Sequence, residues 1–168
     1  MELNDTTDYQ LCFACGQRNP YGLKLVFQLE NDTIVSDFRP QAEHQGFPGV
    51  IHGGIVATIL DEALNRTTML ADVPAWTMTG RLDIRYKRYV PYGPLLRVRA
   101  KLEMQRGRMA QASGYVTLAE DENVILAQAH GTFMALSPEM ITNLMHENPA
   151  MRDFFAPHAQ KPSDEVAL

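Results

Sequence analysis

The longest helical pattern in the chain spans residues 54–71. Placed at 100° per residue, Ile55, Val56, Ile59, Leu60, Ala63, Leu64 and Leu70 share one wide apolar face. Thr58, Asp61, Glu62 and Asn65 fall opposite. A helix this one-sided must pack against something broad, and a sheet is the natural partner. Strand-like runs flank it. Residues 23–29 and 34–38 come first, with Asn31-Asp32 between them as a hairpin turn. Four longer runs follow, over residues 77–89, 95–105, 109–119 and 124–136.

Period-2 alternation marks these later runs as antiparallel strands with one buried face. In the first, Met78, Leu82, Ile84 and Tyr86 alternate with Thr79, Arg81, Asp83, Arg85 and Lys87. In the second, Leu96, Val98, Ala100, Leu102 and Met104 alternate with Arg97, Arg99, Lys101 and Glu103. Pro91-Tyr92-Gly93, Arg106-Gly107-Arg108 and residues 120–123 supply turns. A short helix is predicted over 138–146, with Ser137 as its N-cap, and the tail from Pro157 should fray. The order of elements is thus two strands, one long apolar helix, then four strands. An α+β fold follows, an antiparallel sheet curled around one central helix. The chain divides into an N-terminal segment over 1–22, the sheet-and-helix domain over 23–136, and a C-terminal helix and tail over 137–168.

Composition narrows the class. At 168 residues, 45% hydrophobic and 21% charged, the chain has the makeup of one ordinary globular domain. No apolar run approaches the ~20 residues of a membrane span. The opening MELNDTTDYQ has neither basic nor apolar signal-peptide regions. With two cysteines, a reducing cytoplasm is the expected setting. The net charge is −5, yet residues 81–108 hold nine basic side chains against two acidic ones. An acidic protein with one basic region suits a compact polyanionic ligand better than nucleic acid. Solvated strand faces are the plainer alternative for any one of these residues. Cys12 and Cys15 form a single CxxC, half of a zinc site. No second CxxC exists and His44 is the nearest histidine, so no metal is predicted and packed, reduced thiols are expected. His130 lies within a strand-like run and reads as a core or edge histidine.

Chemistry concentrates at one junction, the loop Phe47-Pro48-Gly49-Val50-Ile51-His52-Gly53-Gly54 running into the helix. Gly53 and Gly54 let a ligand approach their N–H groups closely. They stand at a helix N-terminus, where free N–H groups and the dipole favour developing negative charge. That is the geometry of an oxyanion site, and equally of a flexible loop closing onto a helix. Asp61 lies on the less apolar side of the helix, nine residues after His52. It could act as a nucleophile or general base on a bound carbonyl, or simply face solvent. Glu62 fits the solvated role better, because Arg66 is its i+4 partner.

The run HGGIVATILDEAL, with two strands before it and four after, resembles the hotdog-fold acyl-CoA thioesterases, closest to the phenylacetate-pathway, 4-hydroxybenzoyl-CoA-thioesterase-like branch. Cys12-Phe13-Ala14-Cys15-Gly16 with Asn19-Pro20-Tyr21-Gly22-Leu23 is similar to an N-terminal signature in part of that branch. The likeness covers roughly residues 12–136. It implies hydrolysis of an acyl-CoA to free acid and CoA, with coenzyme A as part of the substrate and no separate cofactor. It implies that Asp61 is the nucleophile or water-activating base, and that the Gly54 amide polarises the thioester carbonyl beside Gly53. His52 would shape the loop and contact the thioester, and Thr79 would position water. Some relatives carry Asn six positions before the His; this chain has Gly46. The resemblance also implies a homodimer or a tetramer of dimers, each site shared between two subunits. Lys87, Arg88, Arg106 and Arg108 would then meet the CoA phosphates through charge-assisted hydrogen bonds. A hotdog dehydratase or hydratase using His52 with Asp61 or Glu62 is the main rival, although Val50 stands where the histidine of its Phe-Pro-Gly loop is expected. A non-catalytic acyl-CoA-binding module is the other.

Overall fold

The computed structural model describes residues 11–71 and 76–155. The opening decapeptide and the tail expected to fray lie outside the described residues. By internal contacts the chain falls into two compact units, Met1–Ala135 and Leu136–Leu168.

In the first unit, β1 (Gln28–Glu30) and β2 (Thr33–Phe38) form a hairpin about the expected turn, with Asn31 in the left-handed region at φ 58°. The first strand is much shorter than the run 23–29 predicts, because the N–H groups of Leu23 and Leu25 donate to the Phe13 and Ala14 carbonyls instead of to β2. A small hairpin of β3 (Gln45–Phe47) and β4 (Val50–Ile51) then leads into α1 (Gly53–Arg66). Four long strands complete the unit: β5 (Thr77–Tyr86), β6 (Leu96–Arg106), β7 (Met109–Leu118) and β8 (Ala127–Ala135). The sheet order is β1-β2-β6-β7-β8-β5, antiparallel throughout, which leaves β5 on one edge. The α+β arrangement read from the pattern is therefore the one that forms.

Helix α1 packs across β6, β7, β8 and β5. Its Val56, Ile59, Leu60, Ala63 and Leu64 are buried. It ends at Arg66, earlier than the apolar pattern predicts. A 3-10 turn over Thr67–Leu70 follows, in which the Thr67 hydroxyl donates to the Leu64 carbonyl at 2.7 Å, and Leu70 is exposed. The sheet beneath the helix is floored with small residues: Ala100, Ala112, Gly114, Ala129 and Gly131. A Cβ on Gly114 would sit 2.7 Å from Leu64 Cδ1, and one on Gly131 would sit 3.1 Å from Leu64 Cδ2. The helix thus comes closer than side chains would permit.

Two bulges overturn part of the expected alternation. In β5, Thr79 pairs with Phe133 and Arg81 with Thr132, so Gly80 is an extra residue. The phase flips there. Thr77 and Thr79 share the inner face with Leu82 and Ile84, while Met78 points outward and is exposed. In β6, Leu102 pairs with Ala112 and Met104 with Gln111, which likewise leaves Met104 exposed. The outer face of β2 and β6 carries ion pairs. Arg97 meets Asp37 at 2.7 Å and Glu122 at 2.8 Å, Arg99 meets Glu122 at 2.6 Å and Glu30 at 2.9 Å, and Lys101 meets Asp32 at 2.8 Å. Much of the positive charge counted in the sequence is therefore spent within the fold.

In the second unit, α2 (Pro138–Glu147) starts as expected, its Ser137 hydroxyl accepting from the Met140 N–H at 3.2 Å. A further helix, α3 (Pro149–Phe155), follows Asn148, whose side chain accepts from the Ala150 N–H.

Candidate active site

The β3–β4 hairpin delivers His52 as the N-cap of α1. Its Nδ1 accepts from the Gly54 N–H at 2.9 Å, while its backbone N–H donates to the His44 carbonyl at 2.8 Å. The amide expected to polarise a carbonyl is thus already engaged by the imidazole. A Cβ on Gly54 would stand 3.0 Å from that nitrogen. Gly46 lies against the other side of the same residue: a Cβ there would stand 3.2 Å from His52 Cα and 3.3 Å from its Cδ2. The missing Asn of some relatives therefore coincides with a histidine packed where its side chain would begin. From β5, the Tyr86 hydroxyl donates to the Gly53 carbonyl at 2.8 Å. Burial pushes the Tyr86 phenol up.

The polar side of α1 is half-buried, not solvated. Thr79 Oγ1, turned inward by the Gly80 bulge, donates to Asp61 Oδ1 at 2.8 Å. Burial pushes the Asp61 carboxyl above its usual range and the Glu62 charge adds to this, while the Thr79 hydrogen bond pulls the other way. One turn further along, Thr77 Oγ1 donates to Asn65 Oδ1 at 3.1 Å. Glu62 bridges to Arg66 as predicted, but Arg66 is buried and also donates to Cys15 Sγ at 3.0 Å.

A cleft of about 540 Å³ opens beside the helix start, with Phe47, His52, Gly53, Tyr86, Lys87 and Arg88 among its lining. Lys87 and Arg88 thus stand at the candidate site. Arg106 and Arg108 do not join them. They belong to the β6–β7 hairpin, where Arg108 meets Ala135, at the far end of β8 from Ala127, the partner of Tyr86. None of these four makes an ion pair among the described residues. His130 is exposed on the outer face of β8, opposite Asp83.

Sequence reasoning missed the β3–β4 hairpin, the Tyr86 contact and the Arg66–Cys15 link. The short runs around Gly46 and Gly49 carry no alternation that would announce strands, and a hydroxyl-to-carbonyl contact between residues 33 apart leaves no local signature.

The profile of the thioesterase superfamily matches residues 48–125, which hold the loop, α1, β5, β6 and β7. The chain is 33% identical over 129 residues to acyl-coenzyme A thioesterase THEM4 of Bos taurus, an alignment covering 76% of this chain and 52% of that protein. It is 28% identical over 138 residues to acyl-coenzyme A thioesterase THEM5 of Homo sapiens, covering 81% and 55%. Among solved structures, a thioesterase superfamily protein superposes with a TM-score of 0.67 at 25% identity, over 74% of this chain and 60% of that one. Residues 48–125 match the thioesterase superfamily, and the fold is the hotdog arrangement of that superfamily's solved structures. It spans about half the length of the curated relatives it matches.

Proposed function

We propose that the protein is an acyl-CoA thioesterase, hydrolysing a thioester to free acid and CoA. The observation that carries the reading is the Asp61–Thr79 hydrogen bond, a half-buried carboxylate held by a hydroxyl on the inner face of an edge strand. The relatives named acyl-coenzyme A thioesterases support the substrate class. Asp61 either attacks the carbonyl carbon itself, forming a mixed anhydride that water then hydrolyses to free acid and carboxylate, or takes a proton from the water that attacks. With either attack, charge develops on the carbonyl oxygen, the C–S bond breaks, and the CoA sulfur leaves as a thiolate that takes up a proton. Thr79 orients the carboxylate. On this reading the thioester oxygen replaces His52 Nδ1 as acceptor for the Gly54 N–H, at the positive end of α1.

Geometry favours a site shared by two copies. Gly54 and Asp61 are seven residues apart on one helix, about 10 Å along its axis. A carbonyl can be gripped at both ends only by groups within roughly 7 Å of each other, with contacts of about 3 Å on each side. Pairing two β5 edges antiparallel about a two-fold axis would carry Gly54 of one copy toward Asp61 of the other. The reading therefore includes a homodimer, or a tetramer built from it. The same pairing sets the Thr77 end of one β5 beside the Tyr86 end of the other. The Arg106–Arg108 hairpin of one copy thereby approaches Lys87 and Arg88 of its mate, and the four could share the CoA phosphates. The reading includes a cytoplasmic setting, the usual one for a chain with so few cysteines. Among the described residues, no helix is long and apolar enough to cross a membrane.

The test is thiol release from a panel of acyl-CoAs differing in chain length and aromaticity, with enoyl-CoA hydration measured on the same preparation. Asp61→Asn should lower kcat by about 10²-fold or more while the protein stays folded. Unchanged turnover in the folded variant, or hydration without hydrolysis, would overturn the reading.

A further inference from the structure

The reaction above leaves one reactive cluster unused. Residues 12–16 make a single turn closed by the Gly16 N–H donating to the Cys12 carbonyl at 3.0 Å. The turn is pinned from outside: the N–H of Leu23 donates to the Phe13 carbonyl at 2.8 Å, and that of Leu25 to the Ala14 carbonyl at 2.9 Å. In such a turn residues three apart face the same way, and their Cα spacing lies within the ~4.4–6.8 Å that a disulfide bridges. Cys12 and Cys15 occupy those two positions. Cys15 is buried in the core and Cys12 is half-exposed. Their sulfurs and a Glu62 carboxylate oxygen all lie within 4.8 Å of one another.

We propose that Cys12 and Cys15 form a second reactive site, a dithiol that exchanges with low-molecular-weight disulfides, with Cys12 the attacking sulfur and Cys15 the resolving one. Accessibility sets the roles, because only Cys12 can meet an incoming molecule. The charged groups facing the pair are Glu62 and Arg66, both from α1. The hydrogen bond from Cys15 holds the Cys12 thiol down to about 6, against burial and the Glu62 charge. The same bond, burial and Glu62 push Cys15 far up. One thiolate and one thiol is the charge state that thiol–disulfide exchange needs.

The chemistry balances without a metal. The Cys12 thiolate attacks one sulfur of RS–SR, forming Cys12–S–S–R and releasing RS⁻, which takes a proton. Cys15 then gives its proton to solvent and attacks the Cys12 sulfur, displacing the second RS⁻. The dithiol loses two electrons, the disulfide reagent gains them, and two molecules of RSH leave. A bound cation fits less well. Arg66 already donates to Cys15 Sγ at 3.0 Å and to Glu62 at 2.9 Å, so a buried positive charge stands where a metal would have to sit.

The test incubates the full chain with oxidised glutathione, quenches in acid, alkylates free thiols and maps peptides by mass. An intramolecular Cys12–Cys15 bridge is expected in the wild type. Cys15→Ser should stop at a mixed disulfide on Cys12, and Cys12→Ser should leave Cys15 unmodified in the folded protein. The rate of Cys12 alkylation in the wild type should rise with a midpoint near pH 6, against the ordinary thiol value of about 8.5. The midpoint is the better readout than the rate at one pH, because a low-pKa thiolate is also a weaker nucleophile. A glutathione adduct on Cys15, an alkylation midpoint near the ordinary value, or stoichiometric zinc on both thiols in native mass spectra would overturn the proposal. The wild-type arms decide it even if a variant fails to fold.

Discussion

The hydroxyl of Tyr86, at the last position of β5, donates to the carbonyl of Gly53, the first residue of α1, across 2.8 Å. One bond therefore ties the sheet edge to the loop that would receive a thioester. Tyr86→Phe removes the hydroxyl and keeps the ring. A neutral hydrogen bond is worth about 1 kcal/mol. We expect thermal unfolding to shift by that order and kcat/KM for an acyl-CoA to fall by roughly five-fold, the kinetic equivalent. An unchanged kcat/KM would show that the loop holds its shape without the tether.

Asp61 yields a prediction for stability as well as turnover. Its carboxyl lies above the usual range chiefly through burial, so the folded chain binds this proton more tightly than the unfolded chain does. Stability must then fall as pH rises through the interval from the ordinary ~3.9 to the raised value. Asp61→Asn should raise the unfolding temperature at pH 7 and lose that advantage near pH 4. The same shift moves the acid limb of the wild-type kcat/KM profile above pH ~3.9. Melting curves of both proteins at the two pH values, with a pH–rate profile, check the sign.

Gly46→Asn would restore the side chain that some relatives carry. Here its Cβ begins 3.2 Å from His52 Cα. We expect loss, not gain: kcat/KM down by roughly ten-fold as His52 is pushed from the start of α1. Higher activity in the variant would mean that the loop has room to accept the amide.

Neutralising Arg106 and Arg108 together should raise KM for an acyl-CoA and leave kcat nearly unchanged, as uniform binding is lost. The effect should shrink with salt, since exposed charges are screened over about 10 Å at 0.1 M. It should vanish for a truncated thioester without the nucleotide. Equal losses on both substrates would assign these arginines to the fold or the dimer.

The outer-face network has its own pH signature. Hydrogen bonds from Arg99 and Arg97 hold the Glu122 carboxyl down to about 2. A depressed carboxylate stabilises the fold above its unfolded pKa of ~4.3 and loses that contribution as pH falls toward 2. Glu122→Gln should therefore flatten acid denaturation between those limits. The effect at pH 7 should stay within about 1 kcal/mol, because the group is largely solvated. Urea melts at pH 7 and pH 3 would measure both.

Much of this architecture is legible from patterning. The apolar stripe Val56–Leu64 and the alternation through Leu96, Val98 and Ala100 can be satisfied only by a helix laid on an antiparallel sheet. The turn at Asn31 and the cap at Ser137 are written in local chemistry. What escapes is phase. A bulge adds one residue without altering composition, so Met78 reads as inward and Thr79 as outward when the reverse holds. Burial of polar groups escapes as well. Glu62 and Arg66 look like a surface pair at i+4 spacing, and only the packing of Cys15 and Phe27 against Arg66 places them inside. The family likeness singles out Asp61 and Thr79 but assigns Thr79 to water; their hydrogen bond to each other is seen only in the fold. The local pattern alone leaves that aspartate free to face water.

The small-residue floor under α1 acts as the reference height of the whole site. Leu64 rests against Gly114 and Gly131, one turn from Asp61, so the depth of that seat fixes how far the carboxylate stands from Thr79. A methyl group at Gly114 would stand 2.7 Å from both the Arg99 carbonyl oxygen of β6 and Leu64 Cδ1, a shim wedged between strand and helix with no side chain of the site itself altered. At Gly131 it would first meet the Phe133 ring, at 2.6 Å, and Leu64 only at 3.1 Å. Reach to a bound thioester is thus set by atoms on the far side of the helix, at positions where the side chain is a lone hydrogen.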